Sequence, residues 1–284
     1  MPALVELTSP AHLRAKEARL LAALRGMGRI LVAFSGGTDS SLVLKVAHDV
    51  LGDKAIAMTA ISASLPASER LEAEQIARQI GARHILVESD ETSDPAYLAN
   101  TPNRCFFCKH ETYGKLAAYA KQNGFQIIVD GTNADDTGDY RPGRKAAGEF
   151  HVRSPLLEAG FTKAEIRSHS KELGLPNWDK PAAACLSSRI PYGTSITLEA
   201  LSQVERAEAL LHGLGLRQLR VRHHGPVARI EAEPQDFPRL LEHRNEIVTG
   251  LQALGYTFVS LDLAGFHSGS MNAGLQGRQP QAGR

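Results

Sequence analysis

No run of the ~18 apolar residues that a membrane-spanning helix needs occurs anywhere in the chain. The opening stretch MPALVELTSPAHLRAKEARLLAALRGMG lacks the basic-then-apolar order of a secretory signal. No membrane partner is therefore expected, and the expected compartment is the cytoplasm. Neither charge is in surplus: 32 Lys and Arg face 31 Asp and Glu, a net of +1. That balance gives no overall case for a nucleic-acid partner. Cysteine is scarce, with Cys105, Cys108 and Cys185 alone. An odd, sparse set argues against a disulfide framework and for metal or redox chemistry. Two nucleotide-binding signatures are also missing, for there is no Gly-Lys-Ser/Thr triplet and no strand-linked G-x-G-x-x-G.

What the chain does have is 43% hydrophobic residues over 284 positions, enough for one large domain or two smaller ones. Short apolar runs at 29–35, 55–62, 83–89 and 126–132 alternate with helical patterns that close on glycine. That alternation predicts an α/β fold with a parallel sheet covered by helices on both faces. The segment 177–197, with two prolines and a glycine, breaks the pattern. Beyond it the order helix, strand, strand, helix, strand predicts a smaller α+β domain. The expected division is 1–193 for the first domain, carrying all three cysteines, and 194–272 for the second. The Gly- and Gln-rich 273–284 is expected to be a disordered tail.

The first apolar run ends in ILVAFSGGTDSSLVLK. A sharp turn alone needs one glycine, and here there are two, flanked by hydroxyls and a carboxylate. In open α/β sheets ligands bind where the carboxyl end of a strand passes into a helix. Gly36 and Gly37 let backbone amides approach an anion, and the helix dipole adds positive potential, which suits phosphate. Ser35, Thr38 and Ser40 offer further donors, and Asp39 is placed as a Mg²⁺ contact. SGGTDS after an apolar strand resembles the loop of the PP-loop ATP pyrophosphatases, which cleave ATP between the α- and β-phosphates. ATP and Mg²⁺ are the cofactors this implies.

Cys105 and Cys108 in NRCFFCKH are close enough to chelate one centre, and converging strand ends would let Cys185 join them. From spacing alone three readings stand: a four-iron four-sulfur cluster with one open iron, a structural zinc with His110 as fourth ligand, or a redox pair beside an unrelated cysteine.

Taken together, AFSGGTDSSLV, NRCFFCK, DGTNADDTGDYRPG, SPLLEAGFTKAEIR, LGLPNWDKPAAACLSSRIPYG, RVRHHGPVARIE and FVSLDLAGFHSGSMN resemble one family. It is the ATP-dependent sulfur transferases that mature the nickel-pincer nucleotide cofactor of lactate racemase. The resemblance runs from about residue 10 to residue 272. It implies that a pyridinium-3,5-biscarboxylic acid mononucleotide is adenylated and that a sulfur nucleophile displaces AMP to leave a thiocarboxylate. In one branch the cysteine matching Cys185 is sacrificed and becomes dehydroalanine. In another, three cysteines hold a 4Fe-4S cluster, and this chain carries all three. The resemblance also implies a sulfide donor and a homo-oligomer.

Among other polar residues, Asp136 and Arg141 at the mouth of the fourth strand are candidates for metal or nucleotide contact. Arg189, four residues after Cys185, is a candidate for bidentate binding of a carboxylate or phosphate and for a catalytic role. Arg222 is a candidate substrate contact. Glu205 and Glu208 are expected to face solvent, His223 and His224 to lie in a turn, and Trp178 to pack. A tRNA thiolase, an ammonia-using synthetase and a nucleotide-sensing module are the alternatives. Salt-dependent tRNA affinity, activity without Cys185 and absence of AMP formation would respectively mark them.

Overall fold

The computed structural model describes residues 10–138, 143–181, 184–267 and 270. Arg141 and the 273–284 tail lie outside the described residues. The chain begins with α1 (Pro10–Arg25), β1 (Ile30–Ala33), α2 (Thr38–Leu51), β2 (Ala55–Ile61), α3 (Ala67–Ile80) and β3 (His84–Glu88). Next come α4 (Pro95–Leu98), α5 (Arg104–Asn123), β4 (Ile127–Val129), α6 (Gly143–Glu149), α7 (Pro155–Ala159) and α8 (Lys163–Glu172). The chain continues with α9 (Leu198–Gly213), β5 (Leu219–His224), β6 (Val227–Ala232), α10 (Phe237–Glu242), α11 (Arg244–Ala253) and β7 (Phe258–Leu261). Each of the four apolar runs contains one of the first four strands, and α2, α3 and α5 close on Gly52, Gly81 and Gly124.

Packing divides the chain into two compact units, Met1–Glu91 with Asn103–Ala183, and Thr92–Pro102 with Ala184–Arg284. The break at 183/184 differs from the expected 193/194 and puts Cys185 in the second unit. Hydrogen bonding gives the reason. Asn100 donates through Nδ2 to the carbonyls of Ile190, Pro191 and Thr194, which builds the 92–102 segment into the 184–194 loop.

In the first unit a parallel sheet has the order β3-β2-β1-β4. Side chains alternate through it. Ile30 and Val32 join the core cluster containing Leu20 and Leu24 of α1 and Ile76 of α3. Leu31 joins Ile56, Met58 and Leu116 of α5 in another. Strands buried on both faces carry apolar residues continuously, which is why they read as unbroken runs.

In the second unit β5 and β6 are antiparallel, and β6 and β7 parallel. Leu211 of α9 and Ile247 and Leu251 of α11 close over Leu219, Val221 and Ile230. The expected fourth element is divided into α10 and α11 at His243. His223 and His224 do not lie in the turn. They complete β5 opposite Ala228 and Val227, and the turn is Gly225-Pro226. Among the described residues no helix is long and apolar enough to cross a membrane.

A buried ion pair ties α1 to α8: Lys16 Nζ lies 2.7 Å from both oxygens of Glu165. Glu165 also completes a capping box with Thr162, fixing the start of α8. Burial alone would raise the Glu165 carboxyl, but bonds from Lys16 and Thr162 outweigh it and hold it below its ordinary 4.5. The depressed value means the pair's stabilisation is present above that pH and is lost as pH falls through the lower folded value. Lys16→Met strands the carboxylate, and chemical denaturation at pH 7 should show a loss of about 3 kcal/mol. The gap to the unmodified protein should narrow as pH drops below ~4.5, where Glu165 takes up a proton. A gap independent of pH would show that packing, not charge, is what Lys16 contributes.

Candidate functional site

The loop 35–40 is laid out by β1 and α2. Gly36 adopts φ +69°, and a side chain there would meet the Cβ of Ala73 at 2.8 Å, so only glycine fits. Gly37 is the N-cap of α2 and has no side chain to occupy the helix's first amides. Ser35 and Gly37 already donate their N–H groups to Ser40 Oγ and Ser35 Oγ, and it is the first turn of α2, with no side-chain cap, whose amides suit an anion.

The hydroxyls are arranged differently from expectation. Thr38 is buried and donates its Oγ1 proton to the Asn177 carbonyl at 2.7 Å. Ser40 is buried, donates to Gly37 O at 3.1 Å and lies 3.2 Å from Ser35 Oγ. Both spend their hydroxyls on the loop's own shape, whereas Ser35 is exposed. Asn177 completes the brace by donating from Nδ2 to Gly36 O and Ser41 Oγ, each at 2.9 Å. Lys180, three residues on, anchors the same segment to Glu69 and Glu72 of α3.

The loop after β4 comes up against this one. A side chain at Gly131 would stand 2.7 Å from the backbone nitrogen of Ser40, so the two loops touch backbone to backbone. Asn133, fully buried, donates from Nδ2 to Asp39 Oδ2 at 3.0 Å, and its own N–H donates to Asp136 Oδ2 at 3.1 Å. One asparagine thus holds both carboxylates predicted to contact metal or nucleotide. Burial raises the Asp39 carboxyl above its ordinary value and the Asp136 charge adds to that, while Lys163, the Asn133 bond and Arg167 pull the other way. Two mutually repelling carboxylates beside an anion-binding loop are the donor chemistry of a hard divalent cation, so the residues fit Mg²⁺. Within neither unit do three His, Cys, Asp or Glu side chains gather as a metal site among the described residues. Phosphate oxygens and water would complete such a coordination sphere.

Asn133, Lys163 and Asn177 were not singled out from sequence. Lys163 opens α8, and its backbone N–H donates to Asp135 Oδ2 at 2.7 Å, which carries its cationic side chain into the field of Asp39. The T-K-A-E capping-box pattern marked that helix start. Asn133 sits in a stretch with four acidic residues, Asp130, Asp135, Asp136 and Asp139, whose charge is the stronger local signal. Asn177 makes its contacts across some 140 positions of chain, and no local pattern announces that.

Cys105 and Cys108 lie in the first two turns of α5, three residues apart on one side of the helix. Cys105 is exposed and Cys108 half-buried, and neither is in a disulfide. Lys109 next to them is held more firmly protonated than an ordinary lysine, chiefly by Tyr113 and further by Cys108, Asp130 and Cys105. Burial pushes the Tyr113 hydroxyl up to about 12, so it stays protonated and donates to Asp130 Oδ2 at 3.1 Å. Two unbridged thiols one helical turn apart have the donor chemistry of an iron–sulfur or zinc centre. His110 is drawn elsewhere, packed on Phe106 and Phe150 with Nε2 3.7 Å from Glu149.

In the second unit Cys185 caps the short 3-10 turn Leu186–Arg189 and is half-buried. Arg189 is only 3% exposed and is held by Glu208, so it does not stand open for a bidentate clamp. Glu208, expected to face solvent, is buried for the same reason. Arg222 is buried as well. It donates to Glu231 and Ser270 through Nη2 and to the Ser188 carbonyl through Nη1. Glu205 is half-buried. Trp178, in the first unit, packs under the Lys171 ammonium at 4.6 Å.

The asparagine synthase family matches residues 20–137, the part that carries β1 to β4 and the loop 35–40. A pyridinium-3,5-bisthiocarboxylic acid mononucleotide synthase of Lactiplantibacillus plantarum is 43% identical, over 92% of this chain and 95% of its own length. An uncharacterized protein of Synechocystis is 48% identical over 87% of this chain and 92% of its own. An uncharacterized protein of Methanocaldococcus jannaschii is 30% identical over 60% and 67%.

The brace on the loop is testable without knowing any second substrate. Asn177→Ala removes both side-chain bonds but keeps the carbonyl that Thr38 uses. Titration with ATP and Mg²⁺ should show nucleotide binding weakened about tenfold, or ~1.4 kcal/mol. Unaltered affinity would mean that the loop holds its shape without Asn177.

Proposed function

Because the chain belongs to the family of the pyridinium-3,5-bisthiocarboxylic acid mononucleotide synthases, we propose that it inserts sulfur into a pyridinium-3,5-biscarboxylic acid mononucleotide at the expense of ATP. The observation that carries this reading is the uncapped loop 35–40 with Asp39 tied through Asn133 to Asp136.

A carboxylate is a poor acyl donor, since oxide would have to leave. A substrate carboxylate oxygen attacks the α-phosphorus of ATP, the bond to the bridging oxygen breaks, and pyrophosphate departs with the electron pair. The loop amides and the start of α2 stabilise the charge that builds on it, and Lys163 adds a cation at the same mouth. Mg²⁺ held by Asp39 and Asp136 would neutralise phosphate charge there. A sulfur nucleophile then adds to the acyl carbon and AMP leaves, giving the thiocarboxylate. The cycle repeats at the second carboxylate.

Cys185 is the residue proposed for the sulfur step, with Cys105 and Cys108 as its companions in holding a 4Fe-4S cluster. Such a cluster supplies an iron position able to carry sulfide from a separate donor. Without it, the Cys185 thiolate itself would form a thioester. Loss of its α-proton and cleavage of the Cβ–S bond would then leave dehydroalanine and the thiocarboxylate. Three unbridged cysteines suit a reducing compartment, and the cytoplasm is the proposed location.

Asp39→Ala should abolish AMP formation while the circular dichroism spectrum stays unchanged. AMP formation at the normal rate would refute the loop's role. Cys185→Ala should release pyrophosphate but yield no thiocarboxylate. Iron and acid-labile sulfide in protein purified without oxygen decide the sulfur source. About four of each per chain supports the cluster; none, with Cys185 lighter by the mass of hydrogen sulfide after turnover, supports the single-use cysteine.

A further inference from the structure

The guanidinium of Arg189 has five N–H donors, and nearly all are committed inside the second unit. Nε donates to Glu208 Oε1 at 2.9 Å and Nη2 to Glu208 Oε2 at 2.8 Å. Nη1 donates to the carbonyls of Ala184 at 2.6 Å and Cys185 at 2.9 Å, and to Ser188 Oγ at 3.0 Å. Glu208 is in turn fixed, because its Oε1 accepts the Val221 N–H of β5 at 2.9 Å. A rigid strand therefore holds Glu208, Glu208 holds Arg189, and Arg189 holds the peptide carbonyls on both sides of the Cys185 α-carbon.

The rest of the loop is pinned as thoroughly. Arg222 takes the Ser188 carbonyl at 2.9 Å. Tyr97 meets Ser187 hydroxyl to hydroxyl at 2.5 Å. Asn100 takes three carbonyls between residues 190 and 194. Ion pairs buried this deeply cost desolvation and are weak devices for stability alone. What this one accomplishes is geometric, since a planar fork satisfies a carboxylate on one edge and converging carbonyls on the other, which an ammonium does not.

We propose that Arg189, oriented by Glu208, is a positioning residue for Cys185, fixing the cysteine's backbone so that its sulfur is presented in one place, and does not itself touch substrate. The inference rests on the reading that Cys185 takes part in the sulfur step. Transfer to an acyl carbon demands that placement, and a displacement of about 1 Å can cost ~100-fold in rate.

The test uses the full chain purified without oxygen and measures thiocarboxylate formed per AMP released, together with amide hydrogen exchange over residues 184–190. Arg189→Lys keeps a cation beside Glu208 but loses the fork. Arg189→Met with Glu208→Gln removes both charges, keeps an acceptor for Val221 and leaves no stranded ion, so folding survives where a single deletion would strand a charge. In both variants the ratio should fall about 10- to 100-fold, and exchange should quicken over 184–190 but not in α9. A normal ratio in the double variant would overturn the proposal. So would an unchanged ratio in Arg189→Lys with a raised KM for the mononucleotide, which would make Arg189 a substrate ligand. Cys185→Ala run in parallel separates the two levels. Normal sulfur transfer there overturns the reading of Cys185 and this inference with it, whereas loss there beside a normal double variant overturns this inference alone.

Discussion

The surroundings of the 35–40 loop depend on β1 and β4 being parallel neighbours. Parallel strands deliver their following loops to the same end of the sheet, and neighbouring ones deliver them about 4.8 Å apart. At that spacing the loop after β4 runs against the first turn of α2, and Gly131 allows contact with Ser40. Asn133 is placed by that contact to reach Asp39. The arrangement of carboxylates, amides and cation follows from strand order before any ligand is present. Asparagine suits the junction because it donates to one carboxylate through its side chain and to another through its backbone without adding charge.

Buried charge is handled in two contrasting ways. Around Asp39 in the first unit, unlike the matched Lys16–Glu165 pair of the same unit, charges stand near one another without full pairing: Asp39 feels Lys163, Asp136 and Arg167, and its carboxyl is raised. Leaving charge partly unmatched costs stability and is a frequent mark of a site awaiting a ligand. In the second unit Arg189 with Glu208, and Arg222 with Glu231, are matched ion to ion, and Arg229 bridges from Glu231 to Asp262. Matched charges have little left to offer a substrate, and what they determine is where backbone goes.

Sequence reading recovered the strands, because a sheet buried on both faces writes itself as apolar runs. It singled out the Gly36-Gly37 turn between β1 and α2, because paired glycines at the end of an apolar strand stand out in local pattern. It was poorer wherever a polar side chain's partner is distant. Thr38 looked like a phosphate donor, and nothing near it announces Asn177. Glu208 looked solvated because helical periodicity gives no hint that an arginine 19 residues earlier returns to it. The unit boundary was displaced for the same reason, since Asn100 joins the second unit through side-chain bonds to carbonyls rather than through composition. Local pattern reports period and turn chemistry, but the pairing of buried charges belongs to the tertiary fold.

The close approach of Gly36 to Ala73 reaches beyond the loop itself. Ala73 lies mid-helix in α3, is buried, and has no polar atom with which to take part in chemistry. Its methyl nonetheless occupies the space in which Gly36 makes its left-handed turn. A larger side chain at position 73 would press on that turn, although leucine would serve the helix about as well. A substitution at 73 that looks harmless by helix preference would be felt first in the shape of the 35–40 loop.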